Sequence, residues 1–333
     1  MIRRRLLAGF AVALALAGCG QKEQVAGPHP KELAFAIPSA ENQTAMQPLW
    51  RPLTDDLSKS IGVKVKPYFA SNYTSLVEAI RFGQVQAGWY SARPALEAVN
   101  RADAEVLARV VEAGGDAAYR SVLIARTGRN ITLDAVLKCG GKLSFGVGEA
   151  ESISGTLAPM TYLFTPKGVE PAKCFKAVRA ASHQANFVDV ATGVVDVATN
   201  NTVGVLAAQR EHPQLADKVE VIWTSPPLPE ASILVRKDLD PALKEKIRQF
   251  FITYGTGTGF EADREREVLK KLAYGGFRPA DDSYLDPIRE MAAAQTLADA
   301  RKSGDKAKIA AAQAQFDKVQ AAAAQRRAAN PDV

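Results

Sequence analysis

The residues best placed to do chemistry form one run, Gly148-Glu149-Ala150-Glu151-Ser152-Ile153-Ser154-Gly155-Thr156-Leu157-Ala158-Pro159. A strand-like stretch, Lys142 to Val147, leads into it, and an apolar helical pattern follows. Proline fits near the start of a helix, where its missing N–H would have had no partner. Pro159 therefore predicts that the helix begins close to Ser154. Helix-start N–H groups lack intrahelical acceptors and sit at the positive end of the dipole. With the hydroxyls of Ser152, Ser154 and Thr156 they make a cradle for anionic oxygens. A plain serine N-cap would give the same local pattern, so the rest of the chain must decide.

Other chemistry finds little footing. The sequence has no Gly-x-Ser-x-Gly elbow, no metal-binding histidine pair and no phosphate-loop lysine, so a catalyst is not expected. The acidic pair Glu149 and Glu151 borders the cradle and reads as a solvated loop. The histidines are His29, His183 and His212, none at ligand spacing from a cysteine, so neither metal nor cofactor is expected.

The elements that must position the cradle alternate short β-rich runs with helical patterns, the mark of an α/β fold with largely parallel sheets. Strands are expected at Leu33 to Ile37, Val63 to Tyr68, Val85 to Tyr90, Lys142 to Val147, Val219 to Trp223 and Ser232 to Val235. Helices are expected over Met46 to Ser60, Ser71 to Phe82 and Asp240 to Tyr254, the last with Asp240 as N-cap and Pro241 at its first position. A unit like that of Ser71 to Ser91 returns at Ser182 to Asn201, with a strand at Val194 to Ala198 leading into Thr199-Asn200-Asn201. Any strand–helix–strand unit would look similar; two lobes of like build facing one another is the more specific reading. Ligands of open α/β sheets sit beyond the carboxyl ends of the strands. That places Tyr90 and Ser91 on one wall and Asn200 and Asn201 on the other.

Four separated segments carry a family resemblance. Ser152-Ile153-Ser154-Gly155 resembles the Ser-Thr-Ser-Gly motif of the phosphate/phosphite/phosphonate-binding proteins of ABC importers. The run from Asn72 to Gly83 resembles that family's tyrosine-led helix. Ala181-Ser182-His183 resembles its Gly-Ser-His, and Leu228-Pro229 with Val235 to Leu239 resembles its late strand and exit. The resemblance implies a two-lobed type 2 periplasmic-binding-protein fold with a central ligand cleft. It also implies that Ser152, Ser154 and the backbone around Ile153 and Gly155 hold the anion, with Tyr73 and His183 as donors from opposite walls. Three departures bear on the guest. Ser91-Ala92-Arg93 stands where many members have Gly-Pro and then a tyrosine, so Arg93 offers a positive charge instead. Asn201 stands where the family has an aspartate, which weakens the case for aminoethylphosphonate, and Ile153 replaces a threonine hydroxyl.

The ends place the protein. Arg3, Arg4 and Arg5 precede an apolar run, Leu6 to Ala17, too short to span a bilayer, that closes on Leu16-Ala17-Gly18-Cys19. Residues 1–18 read as a lipoprotein signal peptide, Cys19 as the lipidated residue and residues 19–30 as a polar tether. Gly20 is no aspartate retention signal, so the inner leaflet of the outer membrane is expected over the inner membrane. The formal charge is +6, but removing three arginines leaves 39 bases against 36 acids. No basic stripe interleaved with aromatics supports nucleic-acid binding. Cys139 and Cys174 remain, and an oxidising compartment predicts a disulfide between them.

Residues 31–125 and 226–283 are expected to form lobe 1 and residues 126–225 lobe 2, with the proline-rich run Thr224 to Pro229 crossing back. Residues 284–333 read as a helical extension, weakly amphipathic and broken near Ser303-Gly304, packing loosely on the body; a coiled-coil partner helix is the alternative. The functional expectation is a monomeric periplasmic lipoprotein that gives a small anion to an ABC permease. Its rivals are a ligand sensor feeding a membrane kinase, a carrier of a different small anion, and a secreted phosphoryl-handling hydrolase.

Overall fold

The computed structural model describes residues 30–38, 43–113 and 118–329. The signal segment, Cys19 and the tether up to His29 lie outside the described residues. Among those described, no helix is long and apolar enough to cross a membrane.

The first sheet joins β1 (Glu32–Pro38), β2 (Lys64–Ala70), β3 (Ala87–Tyr90), β4 (Ala104–Glu112), β12 (Ser232–Arg236) and β13 (Tyr274–Pro279) in the order β13-β4-β12-β3-β1-β2. The second joins β6 (Ser121–Arg126), β7 (Ser144–Val147), β8 (Ala177–Ala180), β9 (Val197–Asn201) and β10 (Val219–Thr224) in the order β10-β6-β9-β7-β8. Within each sheet one strand lies between two parallel partners: β1 between β2 and β3, β7 between β8 and β9. Beyond them, β12 and β4 in one sheet match β6 and β10 in the other, all paired antiparallel. The sheets are thus mixed rather than largely parallel, because each borrows strands from chain that has crossed over. The likeness between the two halves extends to whole sheets.

Two short strands, β5 (Ala118–Tyr119) and β11 (Leu228–Pro229), pair antiparallel and form the double crossing between the lobes. Lobe 2 therefore begins before β6, at about residue 120. The expected boundary at 125 is corrected, since Ser121–Arg126 pairs with β9 and β10.

Both faces of each sheet are covered, which is why strands such as Leu33-Ala34-Phe35-Ala36-Ile37 are apolar almost throughout. Phe35, Trp50, Leu57, Ile247 and Phe251 fill one side of the first sheet; Leu76, Ile80, Tyr90, Leu96 and Leu234 fill the other. The second lobe repeats this with Ile124, Phe187 and Val190 on one face and Phe145, Phe164 and Phe175 on the other. The Cys139–Cys174 disulfide is present, with Cα atoms 4.3 Å apart.

The expected strand at Val194 to Ala198 lies three residues later. Gly193 caps the preceding helix in the left-handed region, and the N–H groups of Val194 and Val195 turn back to Asp189 O. Strand pairing starts only after that helix exit is complete. The expected loose extension is also corrected. Helix Asp286–Ser303 places Ile288 and Met291 in the first lobe's core, Gly304 ends it, and helix Lys306–Ala329 folds back along it.

Candidate functional site

The cradle is the start of a π-type helix, Ile153–Leu157, continued by Met160–Phe164. Ser152 is its N-cap: its Oγ accepts the Gly155 N–H at 2.9 Å, and its carbonyl accepts the Leu157 N–H five residues on. Pro159 therefore sits within the helix, several residues past the start that the sequence suggested. The wide turn tolerates it because other donors reach the carbonyls that its missing N–H leaves open. Ser121 Oγ donates to Ser154 O at 2.5 Å, and Gly155 O receives Gly148 N–H at 3.0 Å and Thr199 Oγ at 2.7 Å. π-type turns of this kind gather at functional sites. Gly148 and Gly155 meet backbone to backbone; a Cβ on Gly148 would lie 2.5 Å from the Gly155 Cα, so both positions require glycine.

The amides of Ile153 and Ser154 begin this helix with no intrahelical acceptor. Ser152 and Ser154 are buried, and both hydroxyls lie beside His183 Nε2, at 3.4 and 3.3 Å. Burial pulls His183 down to about 4, so the imidazole is neutral near pH 7. Its Nδ1 is buried without a hydrogen-bond partner. His183 itself opens helix His183–Thr192, capped by Ser182. Asn201 completes this wall: Nδ2 donates to Ser154 Oγ at 3.3 Å while Oδ1 accepts the Gly204 N–H at 2.7 Å. The arrangement offers hydroxyls, amides and a neutral ring, and no formal positive charge. Such dipoles can hold an anion; a serine within reach of a histidine is also part of a nucleophile–base pattern, but among the described residues no third group orients the ring through Nδ1.

The opposite wall comes from lobe 1. Tyr73 begins helix Tyr73–Arg81 behind an Asn72 capping box, and its N–H donates to Glu149 Oε2 across the lobes at 3.3 Å. Ser91 precedes helix Ala92–Arg101, with its hydroxyl buried and unpartnered. Arg93 Nε reaches Glu151 Oε2 at 3.0 Å, each side chain about a quarter exposed. The acidic pair is therefore engaged by the facing lobe and is not a free solvated loop. Ile153, Leu157 and Ala158 join the core cluster of lobe 1. The lobes meet around the cradle.

Three expected contact residues turn elsewhere. Tyr90 is fully buried in the lobe 1 core, its hydroxyl on Leu76 O at 3.4 Å. Asn200 is equally buried, bridging His183 O and the Asn201 N–H. Thr156 Oγ donates to the carbonyls of Gly148 and Glu149 and so braces the loop. An outward strand end was expected to present the first two, but at these positions the pleat turns the side chain inward. Sequence reasoning missed Tyr119, Ser121 and Thr199. Tyr119 lies on the crossing strand β5, and its buried phenol faces Ser154. Only the topology brings these three to the cradle. Among the described residues, no cluster of histidine, cysteine and acidic groups could hold a metal ion.

Comparison with known proteins gives the family and the fold. Residues 35–285 match the family model described as ABC transporter, phosphonate, periplasmic substrate-binding protein. The phosphonates-binding periplasmic protein of Escherichia coli K12 is 38% identical over 263 residues, covering 79% of this chain and 76% of its own length. A crystal structure of a binding-protein component of an ABC phosphonate transporter from Pseudomonas aeruginosa superimposes with a TM-score of 0.83 at 33% identity, covering 89% of this chain and 99% of that one. A structure from Prochlorococcus marinus, in complex with methylphosphonate, shares the fold with a TM-score of 0.70 at 21% identity, covering 79% and 97%. The two like-built lobes, the double crossing and the match over most of the chain lead to one conclusion: this protein belongs to the periplasmic phosphonate substrate-binding proteins of ABC transporters.

Proposed function

We propose that the chain captures a phosphorus oxyanion or phosphonate between its lobes and delivers it to an ABC permease. The observation that carries this reading is the buried cradle at the lobe seam, where the Ser152 and Ser154 hydroxyls share one neutral imidazole. The guest's oxygens would take the Ile153 and Ser154 amides and both hydroxyls, with Gly155 allowing close approach. His183 and Asn201 would add contacts from lobe 2, Tyr73 and Ser91 from lobe 1. Tyr90, Asn200 and Thr156 would act behind them, as packing and bracing. Closure would then be hinge motion about β5 and β11, driven by contacts made only when shut.

In this reading lobe 1 is residues 31 to about 117 with 230–283, and the mature chain is a monomer. Lipid on Cys19 and a tether to Pro30 hold it at the inner leaflet of the outer membrane. The leader's charged start, short apolar run and Cys19 support this placement. Calorimetry on the soluble domain with methylphosphonate, phosphite, phosphate, sulfate and acetate tests the reading. One of the phosphorus anions should bind at least tenfold more tightly than sulfate or acetate. Preference for either of the last two would refute it.

A further inference from the structure

Glu112 closes β4 and Glu230 follows β11, so both carboxyls stand at the foot of the crossing segments. The register that sets Ser232 opposite Arg109, continued by Val110 N–H to Ala231 O at 2.9 Å, brings the two side by side. Glu230 is only 7% exposed, and its Oε1 accepts the Tyr119 N–H at 2.8 Å. Glu112 Oε1 is buried without a hydrogen-bond partner. Among the described residues, neither carboxyl forms an ion pair with a lysine or arginine.

A buried carboxyl beside a second carboxyl resists ionising, because its charge would lack water and a counterion and would face a like charge. Burial, with the Glu112 carboxyl alongside, pushes Glu230 up to about 8. The other groups facing the pair bring no compensating charge. Tyr119 faces it from β5. Tyr284, on the short turn Asp282–Leu285, donates to Glu230 O at 3.3 Å. Arg109 packs over the Tyr284 ring, 5.6 Å from its centroid, and makes no ion pair with either acid. Tyr274 lies opposite Glu112 on β13, and Tyr73 faces Tyr119. Tyr119 also links hinge to cradle, since its backbone holds Glu230 while its phenol faces Ser154.

We propose that the Glu230 carboxyl keeps a proton beside Glu112 in the hinge, and that its loss disfavours the closed lobes, so anion capture weakens as pH rises. The closed lobes bury the pair and retain the proton. Opening moves the crossing segments, admits water and lowers the proton affinity of Glu230. Closure then holds a proton that the open protein releases, and affinity falls across the interval between the two titrations. This goes beyond the anion reading above and is tested apart from it.

Methylphosphonate is titrated calorimetrically into the wild type and Glu112→Gln at about pH 6 and about pH 9. The guest's own ionisation is common to both proteins and cancels in the ratio of their dissociation constants. The wild type should weaken about fivefold or more relative to the variant at the higher pH, which corresponds to a pKa difference of about 0.7 or more between open and closed lobes. A ratio constant within about twofold, on that same scale, overturns the proposal. Glu230→Gln replaces Glu112→Gln if the latter misfolds. A second arm needs no guest: a carboxyl kept protonated by folding makes the wild type lose stability relative to Glu230→Gln as pH rises from about 5 to 8. Parallel thermal midpoints over that range would also overturn it. Failure of methylphosphonate to bind at any pH would instead count against the anion reading, and the stability arm would decide the pair.

Discussion

At the scale of single residues, the cradle works by donor arithmetic. Ser152 Oγ already accepts from Gly155 N–H, and Ser154 Oγ already accepts from Asn201 Nδ2. Each hydroxyl proton stays available to a guest or, when the ring nitrogen is unprotonated, to His183 Nε2, with the Tyr119 phenol a further partner of Ser154. A neutral His183 can accept at Nε2, whereas an imidazolium could only donate its one N–H there. Hydrogen bonds to a charged partner contribute about 1.5–3 kcal/mol each. The double variant Ser154→Ala, His183→Ala should therefore weaken methylphosphonate binding about a hundredfold or more while the far-ultraviolet dichroism stays that of the wild type. Binding undiminished in a folded double variant would mean that the guest sits elsewhere.

At the scale of elements, the seam depends on what each helix start presents to the other lobe. Glu149 and Glu151, on the loop before the cradle, meet the Tyr73 N–H and Arg93 of the facing helices. A partly exposed ion pair contributes about 0.2–1 kcal/mol. Arg93→Ala and Glu151→Ala should each weaken binding of the anion about two- to fivefold, and the double variant no more than the weaker single. Additive losses in that cycle would show that the two act independently. Ser152 and Ser154 stood out because a helix start leaves a local pattern, whereas His183 and Arg93 were singled out only through the family resemblance. The wide π-type turn was not legible. Ser121, Gly148 and Thr199 brace it by supplying donors from outside the helix for the carbonyls of Ser154 and Gly155. Tyr90 and Asn200 misled for a related reason. A strand end fixes where a residue lies along the sheet, but the partner strands decide which face turns inward, and Gly193 moved the second of these strands by three positions.

At the scale of the whole molecule, the repeated strand order makes two near-equivalent lobes joined by β5 and β11, and the C-terminal hairpin adds a third connection. Helix Asp286–Ser303 packs on helix Ala92–Arg101 of lobe 1 and on the cradle helix of lobe 2. The alanine-rich composition of residues 284–333 suggested a solvated appendage because its apolar side chains are small. What pins it is one buried acid. Asp286 is 2% exposed and binds Arg289 at 2.7 Å and Arg326 at 2.8 Å. Burial works against its charge, but Arg326 and Arg289 outweigh it and hold the carboxyl below its usual range. Removing one partner from such a cluster leaves uncompensated charge at the helix junction, at a cost of about 3 kcal/mol where burial is complete and less where, as here, the arginines reach water. Asp286→Ala should lower the thermal midpoint by several degrees and speed proteolysis near Ser303 to Asp305, where the hairpin turns. Asp286→Asn keeps the shape and loses the charge, so it should destabilise nearly as much if the ion pairs hold the hairpin. A midpoint unchanged in both variants would mean that apolar contacts of Ile288 and Met291 suffice. Because the hairpin touches both lobes, the same variants should also bind methylphosphonate with altered rates while its affinity moves less than about threefold, since loosening a strap eases opening and closing alike.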